Sequence, residues 1–371
     1  MTTMKRTISL CLYPVLLALV ILVPAACKKQ PFLDSMALTP YLGMPSNLDQ
    51  LHSIDLERLR AREGFQELVD KTIASDPQFK KVMAALVRQV EFNPIEQIDK
   101  IFVGVRAGAA NAVNPLQNIL LIAKGNFQNP AAKLEKLRQW LGEEYLITPP
   151  PFKANVHPGT SFKRFQMAAQ SQYNEKVVYE FNFAFPSDTL MLFSLSQPLL
   201  GESLDVISGQ AQGIQTDQYW QKMLDRPNIG AALWGTGNLS PSLFKNGPAA
   251  ALGGGASAYA NARQYYYDVQ FGQDFTAQIG LVCDTIEGAT QLSQALKGTL
   301  DQVKLLALAQ SAKAPLTAKL PASILILSEL QTAKISLKLS EEERRNLFDE
   351  WEKLSEKNAP APSSPTPTPK P

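Results

Sequence analysis

Val177-Val178-Tyr179-Glu180-Phe181-Asn182-Phe183-Ala184-Phe185-Pro186-Ser187-Asp188-Thr189-Leu190-Met191-Leu192-Phe193-Ser194-Leu195 carries the strongest local pattern in the chain. Val177, Tyr179, Phe181, Phe183 and Phe185 recur at every second residue, with Glu180 and Asn182 between them. A period of two puts these side chains on one face of a half-buried strand. Pro186, Ser187 and Asp188 supply turn residues, and Met191, Phe193 and Leu195 resume the alternation. A three-residue loop would set Phe185 opposite Thr189 and Phe181 opposite Phe193, so the apolar faces coincide. A two-residue loop would oppose them. The stretch predicts an antiparallel hairpin with one buried face.

A second hairpin has the same logic. Tyr265, Tyr267, Val269 and Phe271 share parity, and so do Phe275, Ala277, Ile279, Leu281 and Cys283. Their faces match through the three-residue loop Gly272-Gln273-Asp274. Tyr265 and Tyr267 are expected inward. Tyr266 is expected outward, beside Gln264, Asp268 and Gln270.

Around these hairpins the period changes. Phe65, Leu68, Val69 and Ile73, then Phe79, Val82, Met83, Leu86, Val87 and Val90, recur at three and four and predict helix, stepped at Pro77. Ile98–Val105 and Ile119–Ala123 are β-branched apolar runs, hence strands. Asn129-Pro130 opens a helix bearing Leu134, Leu137, Trp140 and Leu141. Residues 287–311 form another, with Leu292, Leu296, Leu300, Val303 and Leu306. Ile335–Leu339 is a strand. Ser340 and Glu343 make a capping box for a last helix with Leu347, Phe348, Trp351 and Leu354.

Ile119–Leu141 and Ile279–Leu300 have the same order of strand, turn and helix, and each is followed by a further strand. The fold class expected is α+β, with two tandem units, 48–213 and 214–357, each an antiparallel sheet with helices packed on one face. This layout is similar to tandem α+β units of uncharacterised exported bacterial proteins.

Charge is concentrated at one end. The 371 residues hold 36 Lys+Arg and 34 Asp+Glu. Lys5 and Arg6 are the only charges in residues 1–26, so the remainder has 34 of each sign. A balanced body argues against a nucleic-acid binder. Lys5 and Arg6 precede an apolar run from Ile8 to Val23, which ends Pro24-Ala25-Ala26-Cys27. Basic, apolar and small residues in that order form an export signal. With Cys27 the segment resembles the lipobox of bacterial lipoproteins, although Pro24 stands where a branched apolar residue is usual.

That resemblance implies removal of residues 1–26, lipidation of Cys27 and attachment to a membrane of the cell envelope. Lys28, in place of aspartate, implies the outer membrane, facing the periplasm or the cell surface. Cleavage near Ala25 or Ala26 without lipid, or an uncleaved anchor, are the other readings of the segment. Residues 27–47 read as the lipidated cysteine and its tether. Residues 358–371, alternating Pro with Ala, Ser and Thr, read as a disordered tail.

The body offers little chemistry. His52 and His157 are the only histidines, with no Cys-x-x-Cys or His-Glu-x-x-His spacing. Gly253-Gly254-Gly255 lacks a Gly-Lys-Ser/Thr ending and reads as a flexible connection. Gly235-Thr236-Gly237 reads as a strand end or bulge. Cys283 shares the apolar face of its strand and reads as core. The acidic clusters Glu143-Glu144 and Glu341–Glu343 read as solvated helix ends.

No catalytic, metal or cofactor residue is assigned, and Cys27 is the one site residue. The expected function is non-enzymatic: a lipid-anchored envelope protein with a binding or structural role. Its partners would be the membrane, through lipid on Cys27, and an envelope protein, with no nucleic acid. The alternative is an enzyme or apolar-ligand carrier with a site between the two units.

Overall fold

The computed structural model describes residues 43–347, apart from 63, 107–117, 146, 149, 159–162, 172–173, 240–258 and 311–319. Cys27, Gly253-Gly254-Gly255 and the 358–371 tail lie outside the described residues. In chain order the first elements are β1 (Gln50–Asp55), α1 (Leu56–Arg60), α2 (Phe65–Ser75), α3 (Pro77–Arg88), α4 (Pro94–Gln97), β2 (Ile98–Val105), β3 (Ile119–Gly125) and α5 (Pro130–Tyr145). There follow β4 (Ile147–Thr148), β5 (Lys153–Val156), β6 (Lys163–Ser171), β7 (Asn174–Ser187), β8 (Leu190–Ser194), α6 (Gln197–Ile207) and α7 (Gln218–Leu224). The last are β9 (Leu233–Asn238), β10 (Ala262–Phe271), β11 (Phe275–Cys283), α8 (Ile286–Gln310), β12 (Ile324–Glu329) and β13 (Thr332–Leu339).

The strands form one sheet in the order β12-β13-β11-β10-β9-β1-β2-β3-β8-β7-β6-β4, with β5 also on β6. The fold is α+β, and its two tandem units are legible in this order. β1-β2-β3-β8-β7 and β9-β10-β11-β13-β12 repeat one topology, with α5 or α8 after the third strand of each. The units meet at the antiparallel pair β1·β9, where Leu51 faces Thr236 and Ile54 faces Leu233. One continuous sheet therefore serves both.

The β10–β11 hairpin has the expected register, with Phe271 opposite Phe275 and Val269 opposite Ala277. The β7–β8 hairpin differs. Phe183, not Phe181, faces Phe193, and the turn is the two residues Asp188-Thr189. An irregularity between Ala184 and Ser187 absorbs the odd residue and restores parity, so the aromatic faces still coincide. Tyr266 is a second correction. It points away from Tyr265 and Tyr267, as expected, but is only 8% exposed, because its ring packs against Gly280, where a Cβ would stand 2.1 Å from its Cε1.

Helix α2 ends before Pro77. The Asp76 carboxylate accepts from the amides of Gln78 (2.8 Å) and Phe79 (3.1 Å), starting α3 anew rather than bending one helix. Helices α1–α3 cover Ile54, Ile101, Val103, Ala123 and Leu233 on one face of the sheet. Trp140 of α5 packs on Val82 and Ala85 of α3, and α8 covers Cys283 and Ala333 on that same face.

Beyond the expected single layer, α6 and α7 cover the opposite face, burying Leu51, Phe102, Leu120, Ile122 and Leu192. The central strands require it. In β2, Ile101 and Phe102 point to opposite faces and both are buried, so neither side can face water.

Residues 43–47, read as the end of the tether, are instead packed into this second layer. Met44 is fully buried, the Gly43 carbonyl accepts from the Ser203 hydroxyl at 2.6 Å, and the Ser46 carbonyl accepts from Trp220 Nε1 at 2.9 Å. At the other end the capping box forms. Ser340 N–H donates to Glu343 at 2.8 Å, and Glu343 N–H donates to Ser340 Oγ at 3.2 Å, opening a helix over 341–347.

Candidate functional site

Three strands bring together one histidine and two tyrosines that lie 213 and 215 residues apart in sequence. His52 on β1 sits 3.1 Å from the Tyr267 hydroxyl through Nδ1 and 3.3 Å from the Tyr265 hydroxyl through Nε2. The two phenol rings are stacked parallel within 3°, 6.5 Å apart. Between β1 and β10, Gly235 makes the room. A Cβ there would stand 2.6 Å from both His52 Nδ1 and Tyr267 Cε1. Gly235-Thr236-Gly237 is thus the interior of a central strand, not its end, and glycine is needed for the rings that cross it.

Burial sets the chemistry of the cluster. It pushes His52 down to about 4 and Tyr267 up to about 12, and it raises Tyr265 as well. At neutral pH the imidazole is uncharged, with one donor and one acceptor nitrogen. The imidazole N–H and two phenols carry three protons, and the two bonds between them use two. One phenolic O–H remains to donate to an acceptor. The cluster therefore has one hydrogen-bond donor in excess, and its histidine is too weak a base to take a proton near pH 7.

The same shift makes stability depend on pH. The unfolded chain binds a proton at His52 near pH 6.5, while the folded chain resists it down to about 4. Stability from this group is therefore full above 6.5 and lost as pH falls toward 4. Urea unfolding is expected to show wild type losing about 2–3 kcal/mol more between pH 7.5 and 4.5 than His52→Gln loses. Equal losses would contradict a neutral buried His52.

His157 stands elsewhere, buried and 2.8 Å from Asp205 of α6 through Nε2. The two histidines lie at separate sites. Cys283 is buried and its thiol is raised, first by burial and then by the Asp284 carboxylate, as suits an apolar core residue. Glu144 pairs with Lys81, and Glu341 with Arg345. Among the described residues no three His, Cys, Asp or Glu are grouped to hold a metal.

A half-open cleft of about 610 Å³ lies at the end of α6, lined in part by Gly43, Leu190, Val206, Ile207, Gln212 and Thr216. Gly43, the first of the described residues, is part of that lining.

Sequence reasoning missed both features. Parity places Tyr265 and Tyr267 on one face, but Gln50-Leu51-His52-Ser53-Ile54 shows only a weak alternation and gives β1 no local signal. No helix among the described residues is long and apolar enough to cross a membrane.

No protein-family model and no curated protein matches the chain. Among solved structures it is similar to one described as crystal form I of TP0453, with 8% sequence identity and a TM-score of 0.40, over 83% of this chain and 96% of that one.

Proposed function

We propose that the protein is lipid-anchored in the cell envelope through Cys27 and acts by binding or as a structural component. The observation that supports this is the order of residues 5–27: Lys5 and Arg6, an apolar run, then Ala25-Ala26-Cys27. A multiply acylated cysteine holds a protein on a membrane where a single chain would not. Sixteen residues of chain separate Cys27 from the packed Gly43, which bounds the distance between them at about 55 Å. The α6–α7 side of the sheet, where the Gly43 carbonyl accepts from Ser203, would then lie within that reach of the bilayer.

A carrier of apolar ligands is the second reading. The cleft beside Gly43 favours it, with Leu190, Val206 and Ile207 in its lining.

Replacing Cys27 by Ala tests the anchor. Wild type is expected to incorporate labelled fatty acid and to sediment with membranes, whereas Cys27→Ala does neither. Unchanged labelling in the variant would refute lipidation at Cys27. A wild type found unlabelled in the soluble fraction would point to plain cleavage.

A further inference from the structure

The two units differ at their outer strands. In the first unit, β7 carries β6 on its outer side, with Phe183 opposite Phe165. Its counterpart in the second unit is β12, and among the described residues nothing pairs beyond it. One edge of the sheet ends in the two-residue β4 beside the four-residue β5, which blunts it. The other ends in β12, six residues long, with sequence Ile324-Leu325-Ile326-Leu327-Ser328-Glu329. It has no proline, lysine or bulge, the usual protections of a free edge.

The turn after β12 shows which backbone groups are free. Glu329 pairs with Thr332 across a two-residue turn, and such a closing pair is hydrogen-bonded. Alternation then points the amides and carbonyls of Leu325 and Leu327 toward β13, and those of Ile324, Ile326 and Ser328 outward. Leu325 is 54% exposed and Leu327 38% exposed, on the face opposite α8.

We infer that β12 pairs antiparallel with β12 of a second copy of this chain, extending the sheet across a two-fold axis at Ile326. In that register Ile326 faces Ile326 of the second copy, and Ile324 faces Ser328. Leu325 and Leu327 then face each other as a non-hydrogen-bonded pair, where side chains stand closest. Four exposed leucines are covered at once. The only charge in the strand, Glu329, meets no like charge. The edge is complementary to itself in backbone and in side chains, which is what a two-fold interface requires, and the first unit shows that this topology accepts an antiparallel strand there.

Ser328→Pro separates pairing from folding. It removes one outward N–H, keeps the ladder to β13, and places proline where an edge strand tolerates it. The mass of the full chain in detergent micelles, by light scattering, is expected to be two copies for wild type and one for Ser328→Pro, with unchanged circular dichroism. A second variant, Leu325→Lys with Leu327→Lys, introduces charge on exposed positions and is expected to give one copy too. A one-copy wild type would overturn the inference, and so would two copies persisting in a folded variant of either kind.

Discussion

Gly125→Ala is expected to destabilise the protein by about 3 kcal/mol or more. Gly125 ends β3 beside Ile98 of β2, and its amide donates to Thr189 O at 3.0 Å across the sheet. A Cβ would lie 2.0 Å from the Gln97 carbonyl oxygen and 2.9 Å from Ile98 Cα. Both are backbone atoms, so no rotamer change relieves the contact. The strands must part, and the neighbouring bonds Asn126 N–H to Gln97 O (2.7 Å) and Phe127 N–H to Asp188 O (2.8 Å) part with them. Gly298 in α8 is the control. Nothing lies within 4 Å of its Cβ position. Gly298→Ala should raise stability by about 0.5–1 kcal/mol, as alanine does in an open helical site. Urea midpoints moving in opposite directions would bear out both.

Trp220→Ala is expected to cost about 3–5 kcal/mol. Trp220 is 0% exposed, among Leu51, Leu199 and Trp234 under α7. Asp217 starts that helix by accepting from the amides of Tyr219 (2.8 Å) and Trp220 (3.2 Å). The indole N–H also satisfies the Ser46 carbonyl, so truncation leaves a cavity and an orphaned acceptor. Trp220→Phe, which keeps much of the apolar volume, should cost less. The loss should also be local, with faster proteolysis at residues 44–48, the segment whose Ser46 carbonyl the indole holds. A stability loss without that cleavage would mean Trp220 does not hold the segment.

Much of the fold was readable locally because its outer strands alternate cleanly. The β10–β11 register followed from parity alone, and the capping box at Ser340 from its spacing. The repeated order of strand, turn and helix in Ile119–Leu141 and Ile279–Leu300 corresponds to the matching strand orders β1-β2-β3-β8-β7 and β9-β10-β11-β13-β12. The β7–β8 turn was misread because a bulge can replace a loop residue without disturbing parity.

The centre of the sheet was hidden for another reason. β1 and β9 carry Gln50, His52, Ser53, Asp55, Gly235 and Gly237, residues that weaken any strand pattern. Their suitability is set by distant partners: Asp55 is held by Lys100 at 3.0 Å, His52 by the two tyrosines, and Gly235 by the rings over it. Such fits join residues far apart in sequence and leave no local period. The candidate site is built from these long-range fits, which is why it escaped the sequence reading.

Lipidation at Cys27 can be read from the intact mass of the mature chain, purified from the cell envelope. The predicted result is a chain that begins at Cys27, without residues 1–26, and carries the added mass of acyl chains on that residue. A mature chain that begins elsewhere, or that begins at Cys27 with no added mass, would contradict it.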